Sequence, residues 1–182
     1  MAEPAERQAT YEDLLRVPAQ DHQWPFSYPS ETGSEAFTGK LIARSRDQWP
    51  FDKGRGGPGG WWILDEPELH LGSHILVPDL AGWRRTRLPS LPKTAWFELA
   101  PDWVCEVLSP GTAADDRAEK LPIYAEYGVV YAWLIDPQLR TLEAFENNTG
   151  KWHLLTTLND QDQVSLSPFD AIAFDLSFLW AD

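Results

Sequence analysis

One cysteine in 182 residues leaves no partner for an intrachain disulfide and no basis for a cysteine-rich zinc site, so Cys105 fits a reducing compartment. Long apolar runs are missing as well. No stretch approaches the ~18 uninterrupted apolar residues of a membrane span, and the opening MAEPAERQAT lacks an apolar signal stretch. The chain is therefore expected to be soluble, unexported and cytoplasmic, with no membrane partner, and its Asn147-Asn148-Thr149 sequon to be idle. Positive charge is also scarce: 15 Lys and Arg stand against 28 Asp and Glu, a formal net charge of -13. Nucleic acids are held by Lys and Arg displacing counterions from phosphates, so this balance argues against a strong nonspecific DNA binder. A local patch can still act. Arg84, Arg85, Arg87 and Lys93 lie in an acid-free stretch from Leu80 to Ala95 and are the candidate nucleic-acid contacts.

Several catalytic signatures are absent. His22, His70, His74 and His153 show no HxxxH or HExxH spacing, which argues against a zinc hydrolase. Ser109 is not in a Gly-x-Ser-x-Gly turn, and Cys105 in an apolar run reads as inert packing. The Gly-rich run Gly54 to Gly60 has no Gly-Lys-Ser/Thr ending and leads into Trp61-Trp62-Ile63-Leu64, so it reads as a loop before a strand and not as a phosphate-cradling loop.

The composition, 43% hydrophobic and 24% charged, suits one globular domain over residues 1–182. Ten Trp residues are many for this length and read mainly as packing. Short helices are expected near Tyr11 to Arg16 and Glu35 to Arg46, within a divergent part spanning 1–49, followed by a core over 50–182. Strands are expected at Trp61 to Leu64, at His74 to Val77 leading into Pro78-Asp79, and at Trp103 to Leu108. After Ser109-Pro110-Gly111, Thr112 with Asp115 has the spacing of a helix N-cap, and the helix should run from Ala113 to Tyr127, kinked at Pro122 and stopped by Gly128. Val129 to Ile135 is again continuously apolar, giving a strand–helix–strand crossover and two parallel strands. Thr141 to Phe145 and Trp152 to Thr157 flank an Asn147 to Gly150 hairpin turn, and a last apolar segment covers Ala171 to Trp180. The fold class is α/β (mixed α+β): a mixed sheet, antiparallel around Asp79 and parallel around Glu106, flanked by helices.

Within that frame two carboxylates stand out. Asp79 ends an apolar strand, and Glu106 lies inside another, on the face of Val104 and Leu108. A charge there must be paired, protonated, turned to solvent or bound to a cation. The two residues meet only if their strands are neighbours, because the excursion Leu80 to Asp102 separates them. Two carboxylates with a backbone carbonyl supply the hard oxygens that Mg²⁺ prefers and leave room for water and a phosphate oxygen. Lys120, fourteen residues after Glu106, would orient the attacking water or offset charge on the transition state. The plainer alternative is that Asp116 and Lys120 form an i, i+4 pair on an exposed helix.

These residues resemble the family of putative restriction endonucleases called Uma-two, in the PD-(D/E)XK nuclease superfamily. The resemblance runs from Pro50 to about Trp180 and is carried by Pro78-Asp79-Leu80, Pro101 to Pro110, Asp116 to Lys120, Tyr124, Gly128-Val129 and Trp133 to Pro137. It implies a restriction-endonuclease-like core in which Asp79, Glu106 and the backbone carbonyl of Val107 bind Mg²⁺ or Mn²⁺. Leu108 stands where the superfamily's lysine normally does, so Lys120 would be a relocated catalytic lysine, with Asp116 assisting or holding it. Tyr11-Glu12-Asp13-Leu14 is present, but the family's Glu-Leu-Ile-Asp-Gly-like hairpin is not recognisable between Asp21 and Gly33; Glu35 is a stand-in for its early acid. The usual Glu-Tyr-Trp is Tyr131-Ala132-Trp133 here.

The resulting expectation is a metal-dependent endonuclease that hydrolyses phosphodiester bonds of nucleic acid, DNA first, as a homodimer whose twofold symmetry serves two strands. A catalytically weak or inactive member acting as a binding or assembly module is the alternative, motivated by the acidity and the altered N-terminal motif. A hydrolase of smaller phosphoesters is a third reading.

Overall fold

The computed structural model describes residues 60–180 except Thr112 and Ile172. The helices expected before residue 50, Glu35, most of the Gly-rich loop and the Thr112 cap lie outside the described residues.

Apolar segments broken by Gly, Pro and Asp form a six-stranded sheet ordered β1-β4-β6-β7-β8-β9. Its strands are β1 (Trp61–Asp65), β4 (Leu80–Arg84), β6 (Trp103–Val107), β7 (Tyr131–Asp136), β8 (Thr141–Asn148) and β9 (Lys151–Asn159). β4 pairs antiparallel with both β1 and β6, whereas β6 and β7 run parallel across the crossover. The mixed sheet expected from the sequence is therefore present, as is the β8–β9 hairpin. A smaller sheet, ordered β3-β2-β5, comprises β2 (Glu68–Leu71), β3 (His74–Leu76) and β5 (Trp96–Phe97). β10 (Gln163–Val164) pairs with β11 (Phe174–Asp175), and a 3₁₀ turn over Leu176–Leu179 follows.

Two expectations are corrected here. His74 to Val77 does not lead the main sheet into Asp79; β3 belongs to the smaller sheet. Proline has no N–H to offer a ladder, and the buried Pro78 separates β3 from β4, the main-sheet strand that Asp79 immediately precedes. β4 itself lies inside what reads in the sequence as an excursion. Its Gly82 is the reason it can sit there: a Cβ at that position would come within 3.1 Å of the Trp103 ring and 3.3 Å of the Trp61 ring.

The crossover helix differs in its interior. It runs as α1 (Ala113–Asp115), a π-helical turn (Asp116–Lys120) and α2 (Leu121–Glu126). The Leu121 N–H donates to the Asp116 carbonyl, five residues back. Because α2 starts afresh at Leu121, Pro122 falls in its first turn, where a missing N–H is tolerated, and not in a helix interior. Gly128, at φ 80°, ends the helix as expected, and the Val129 N–H closes back on the Tyr124 carbonyl at 2.9 Å.

Alternation along the strands divides the apolar side chains between the two faces of the main sheet. Trp103, Cys105 and Val107 face a cluster with Trp133, Phe169 and Leu176. Val104 and Leu108 face the other way, against Leu121 and Tyr124 of α2 and Leu69 and Leu71 of the small sheet. Trp83 and Trp103 are completely buried, each removing about 150–250 Å² from water. That accounts for much of the Trp content by packing. No helix among the described residues is long and apolar enough to cross a membrane.

Candidate active site

Glu106 occupies the fourth position of β6 and follows the alternation onto the face covered by α2. Only 1% of it is exposed. Asp79 immediately precedes β4, whose register places Leu80 opposite Cys105, so Asp79 arrives beside Glu106 and Val107. The Val107 N–H donates to Asp79 Oδ2 at 2.6 Å, and the Asp79 N–H donates to Glu106 Oε2 at 3.3 Å. The two carboxylates flagged by the sequence are thus brought together by neighbouring antiparallel strands.

Lys120 completes the group from the helix. Its Nζ lies 3.2 Å from Glu106 Oε2 and 2.8 Å from Asp116 Oδ1. Asp116 is 2% exposed, which rules against the reading of Asp116–Lys120 as a solvated surface pair. The π turn ends at Lys120, where one wide turn separates Asp116 from the α-helical register that continues into α2. Tyr124, one turn further along, is wholly buried, and its hydroxyl donates to Glu106 Oε1 at 2.8 Å. The sequence marked this tyrosine through the family resemblance without assigning it a contact. Its spacing of four from Lys120 was the available signal, since both then share one helix face.

The electrostatics follow from dryness and crowding. Burial pushes the Glu106 carboxyl up to about 8; Lys120 opposes this, while Asp79 and Asp116 add to it. Burial also raises Asp79, against the hydrogen bond from Val107 and the Lys120 charge. The lysine is held above its ordinary value because Glu106 and Asp116 outweigh its partial desolvation. Tyr124 is raised by burial and by the adjacent Glu106 charge, so its hydroxyl remains a donor.

A divalent cation fits these donors. Two carboxyls with raised affinity for protons are two sites where a stronger positive charge would displace the proton, and carboxylate oxygens are the hard ligands Mg²⁺ and Mn²⁺ favour. Among the described residues no group of three or more His, Cys, Asp or Glu side chains is arranged to hold a metal ion. Further oxygens would come from a backbone carbonyl and water. The Val107 N–H points to the Asp79 edge, and in an extended strand a residue's carbonyl points to the same edge as its N–H.

The candidate basic patch lies elsewhere. β4 carries the chain about 16 Å from Asp79 to Arg84 at roughly 3.3 Å per residue. Arg87 is paired at 2.9 Å with Asp102, a buried carboxylate that also accepts from the Arg84 N–H. The Arg84 and Arg85 guanidiniums lie over the rings of Trp61 and Trp62. Lys93 is exposed in the connection between β4 and β5.

The family model described as "Uma2: Putative restriction endonuclease" matches residues 24–177. The chain belongs to the Uma2 family. The match takes in Asp79, Glu106, Asp116, Lys120 and Tyr124. Among solved structures, the chain is similar to a putative nuclease belonging to DUF820 from Anabaena variabilis, with a TM-score of 0.64 and 18% identity, covering 95% of this chain and 98% of that one. That likeness shows a shared fold. No curated protein matches the chain. For this Uma2 protein the departure at Leu108 acquires a structural counterpart: Leu108 is buried in apolar packing, while the lysine reaches Glu106 from the helix.

Proposed function

We propose that this Uma2 protein is a Mg²⁺- or Mn²⁺-dependent endonuclease that hydrolyses phosphodiester bonds of nucleic acid, DNA in the first instance. The observation that carries the reading is the convergence of Asp79, Glu106 and Lys120 from a strand start, a buried strand and a helix into one hydrogen-bonded group. Asp79, Glu106 and the Val107 carbonyl would hold the cation, which when bound neutralises a phosphate oxygen and makes a coordinated water more acidic.

The rest of the work falls to the chain's own groups. The Val107 amide fixes the orientation of Asp79, and Tyr124 fixes Glu106. Lys120, kept protonated by its two acidic neighbours, can donate a hydrogen bond to the attacking water or to an oxygen gaining charge. Dry packing under Glu106 strengthens each of these interactions. A homodimer in the cytoplasm, with one site for each strand, belongs to the same proposal.

Retention of both carboxylates and the lysine favours catalysis over the alternative of a silent binding module. The deciding experiment incubates wild type, Glu106→Gln and Lys120→Met with single-stranded DNA, duplex DNA and RNA in Mg²⁺, Mn²⁺ or EDTA. Metal-dependent cleavage by wild type, reduced about 10²–10³-fold by Lys120→Met, is expected. Failure on every substrate in both metals removes the assignment.

A further inference from the structure

Glu106 shares its row of the sheet with a second glutamate. β6 sets Glu106 opposite Leu134 of β7, and β7 sets Leu134 opposite Glu143 of β8. Residues directly opposite share a face, so Glu143 lies on the helix-covered face, two strands and roughly 10 Å from Glu106. Each of these glutamates meets a base from the same π turn. Lys120 Nζ lies 3.2 Å from Glu106 Oε2, and the Arg117 guanidinium donates to Glu143 Oε2. The Lys120 pair reaches into dry packing, whereas the Arg117 and Glu143 side chains stay 43% and 23% exposed.

The rest of the β8–β9 hairpin follows the same helix. Trp152 Nε1 donates to the Leu121 carbonyl at 2.7 Å, and Asn147 Nδ2 donates to the Ala125 carbonyl at 2.9 Å. Arg117, Leu121 and Ala125 stand four residues apart, so the hairpin holds one row of the helix. Lys120 and Tyr124, also four apart, form the adjacent row, and both meet Glu106. Within the hairpin-held row, Arg117 belongs to the π turn and the other two residues to α2.

We propose that Glu143 is a positioning residue for the hydrolysis: through Arg117 it fixes the π turn from β8 and so holds Lys120 against Glu106. The inference rests on the reading of Lys120 as the group that acts on the attacking water, and adds to it a residue that works only through the helix. A π turn is a rare insertion, here a single wide turn between two α-helical segments. Arg117 ties its second residue to the sheet, and Lys120 is its last. Without that tie the turn can slide and displace the ammonium, and a displacement of about 1 Å is enough to cut a rate.

The test compares variants of the full-length chain in three ways. In Mn²⁺, Glu143→Gln and Arg117→Met should each lower kcat about fivefold at unchanged KM, with Arg117→Lys recovering most of the loss. A raised KM in Arg117→Met, with Glu143→Gln at the wild-type rate, would make Arg117 a substrate contact and overturns the proposal. In a Lys120→Met background Glu143→Gln should cost nothing further, because the group it places is gone; losses that multiply overturn the proposal as well. The third comparison needs neither substrate nor metal. Amide exchange in EDTA at Leu121, whose N–H closes the π turn on the Asp116 carbonyl, should run about fivefold faster in Glu143→Gln. Wild-type cleavage with unchanged exchange removes the role of Glu143 and leaves the hydrolytic reading intact, whereas a wild type that cleaves nothing takes down both.

Discussion

The amide of Val107 and the carboxylate of Asp79, 28 residues apart in the chain, form a 2.6 Å hydrogen bond. It locks the start of β4 to the end of β6 and aims Asp79 at Glu106 in the same contact.

Asp79→Ala and Asp79→Asn should therefore part company. The alanine variant leaves the Val107 N–H without its acceptor and should lose about 1–3 kcal/mol of stability together with metal binding. The asparagine variant keeps an oxygen at that position and should retain most of the stability while losing metal affinity. Urea denaturation beside Mn²⁺ titration distinguishes the two, and equal destabilisation by both would refute this account.

Stability of the metal-free protein should fall as pH rises. The folded carboxyl of Glu106 titrates near 8 against an ordinary value of 4.5, so between these the native state holds a proton that the unfolded chain has released. The associated stability is present below 4.5 and is lost as pH climbs through 8, with raised Asp79 acting in the same direction. The facing groups are Lys120, which opposes the shift, and Asp79, Asp116 and Tyr124. Urea midpoints in EDTA from pH 5 to 9 should decline more steeply for wild type than for Glu106→Gln. Metal binding must expel that proton, so Mn²⁺ affinity should grow by up to about tenfold per pH unit below 8.

Lys120→Met should cost stability as well as activity, because Asp116 and Glu106 would then share dry packing with no cation. Breaking a buried pair costs about 3–5 kcal/mol, and partial exposure of the lysine places this variant at or below the lower end. The double variant Asp116→Asn/Lys120→Met should recover part of the loss without recovering cleavage. Thermal unfolding of the three proteins checks the order; a double variant no more stable than the single would contradict it.

Arg87→Ala is expected to act on the fold and not on the substrate. It strips the 2.9 Å partner from Asp102, which also holds the Arg84 amide at the far end of β4. Stability should fall by about 1–3 kcal/mol, while nucleic-acid affinity and its salt dependence stay at wild-type values. A reduced salt slope in a binding assay would show that Arg87 meets phosphate after all.

How much of this was legible follows from what each residue tells its neighbours. Glu106 was conspicuous because a carboxylate in an apolar run has few ways to exist, and alternation alone gave its face. Lys120 was legible from the crossover, since a helix after a buried strand packs back over it. β4 was not legible: Leu80–Arg84 contains a glycine and ends in arginine, so its strand character comes from neighbours on both sides. The burial of Asp116 was hidden for a related reason, because its spacing to Lys120 is the same on a wet helix face and a dry one. Pro122 pointed to a disturbance in the helix, but the adjustment took the form of a wide turn just upstream.

The indole of Trp152, on the outermost strand of the main sheet, donates at 2.7 Å to the carbonyl of Leu121, the residue directly after Lys120. The helix that carries Lys120 is thus tied to the last strand of the main sheet among the described residues. Removing that indole would free the Leu121 carbonyl one residue from Lys120, so a strand three places from Glu106 in the sheet bears on where the ammonium that meets Glu106 is held.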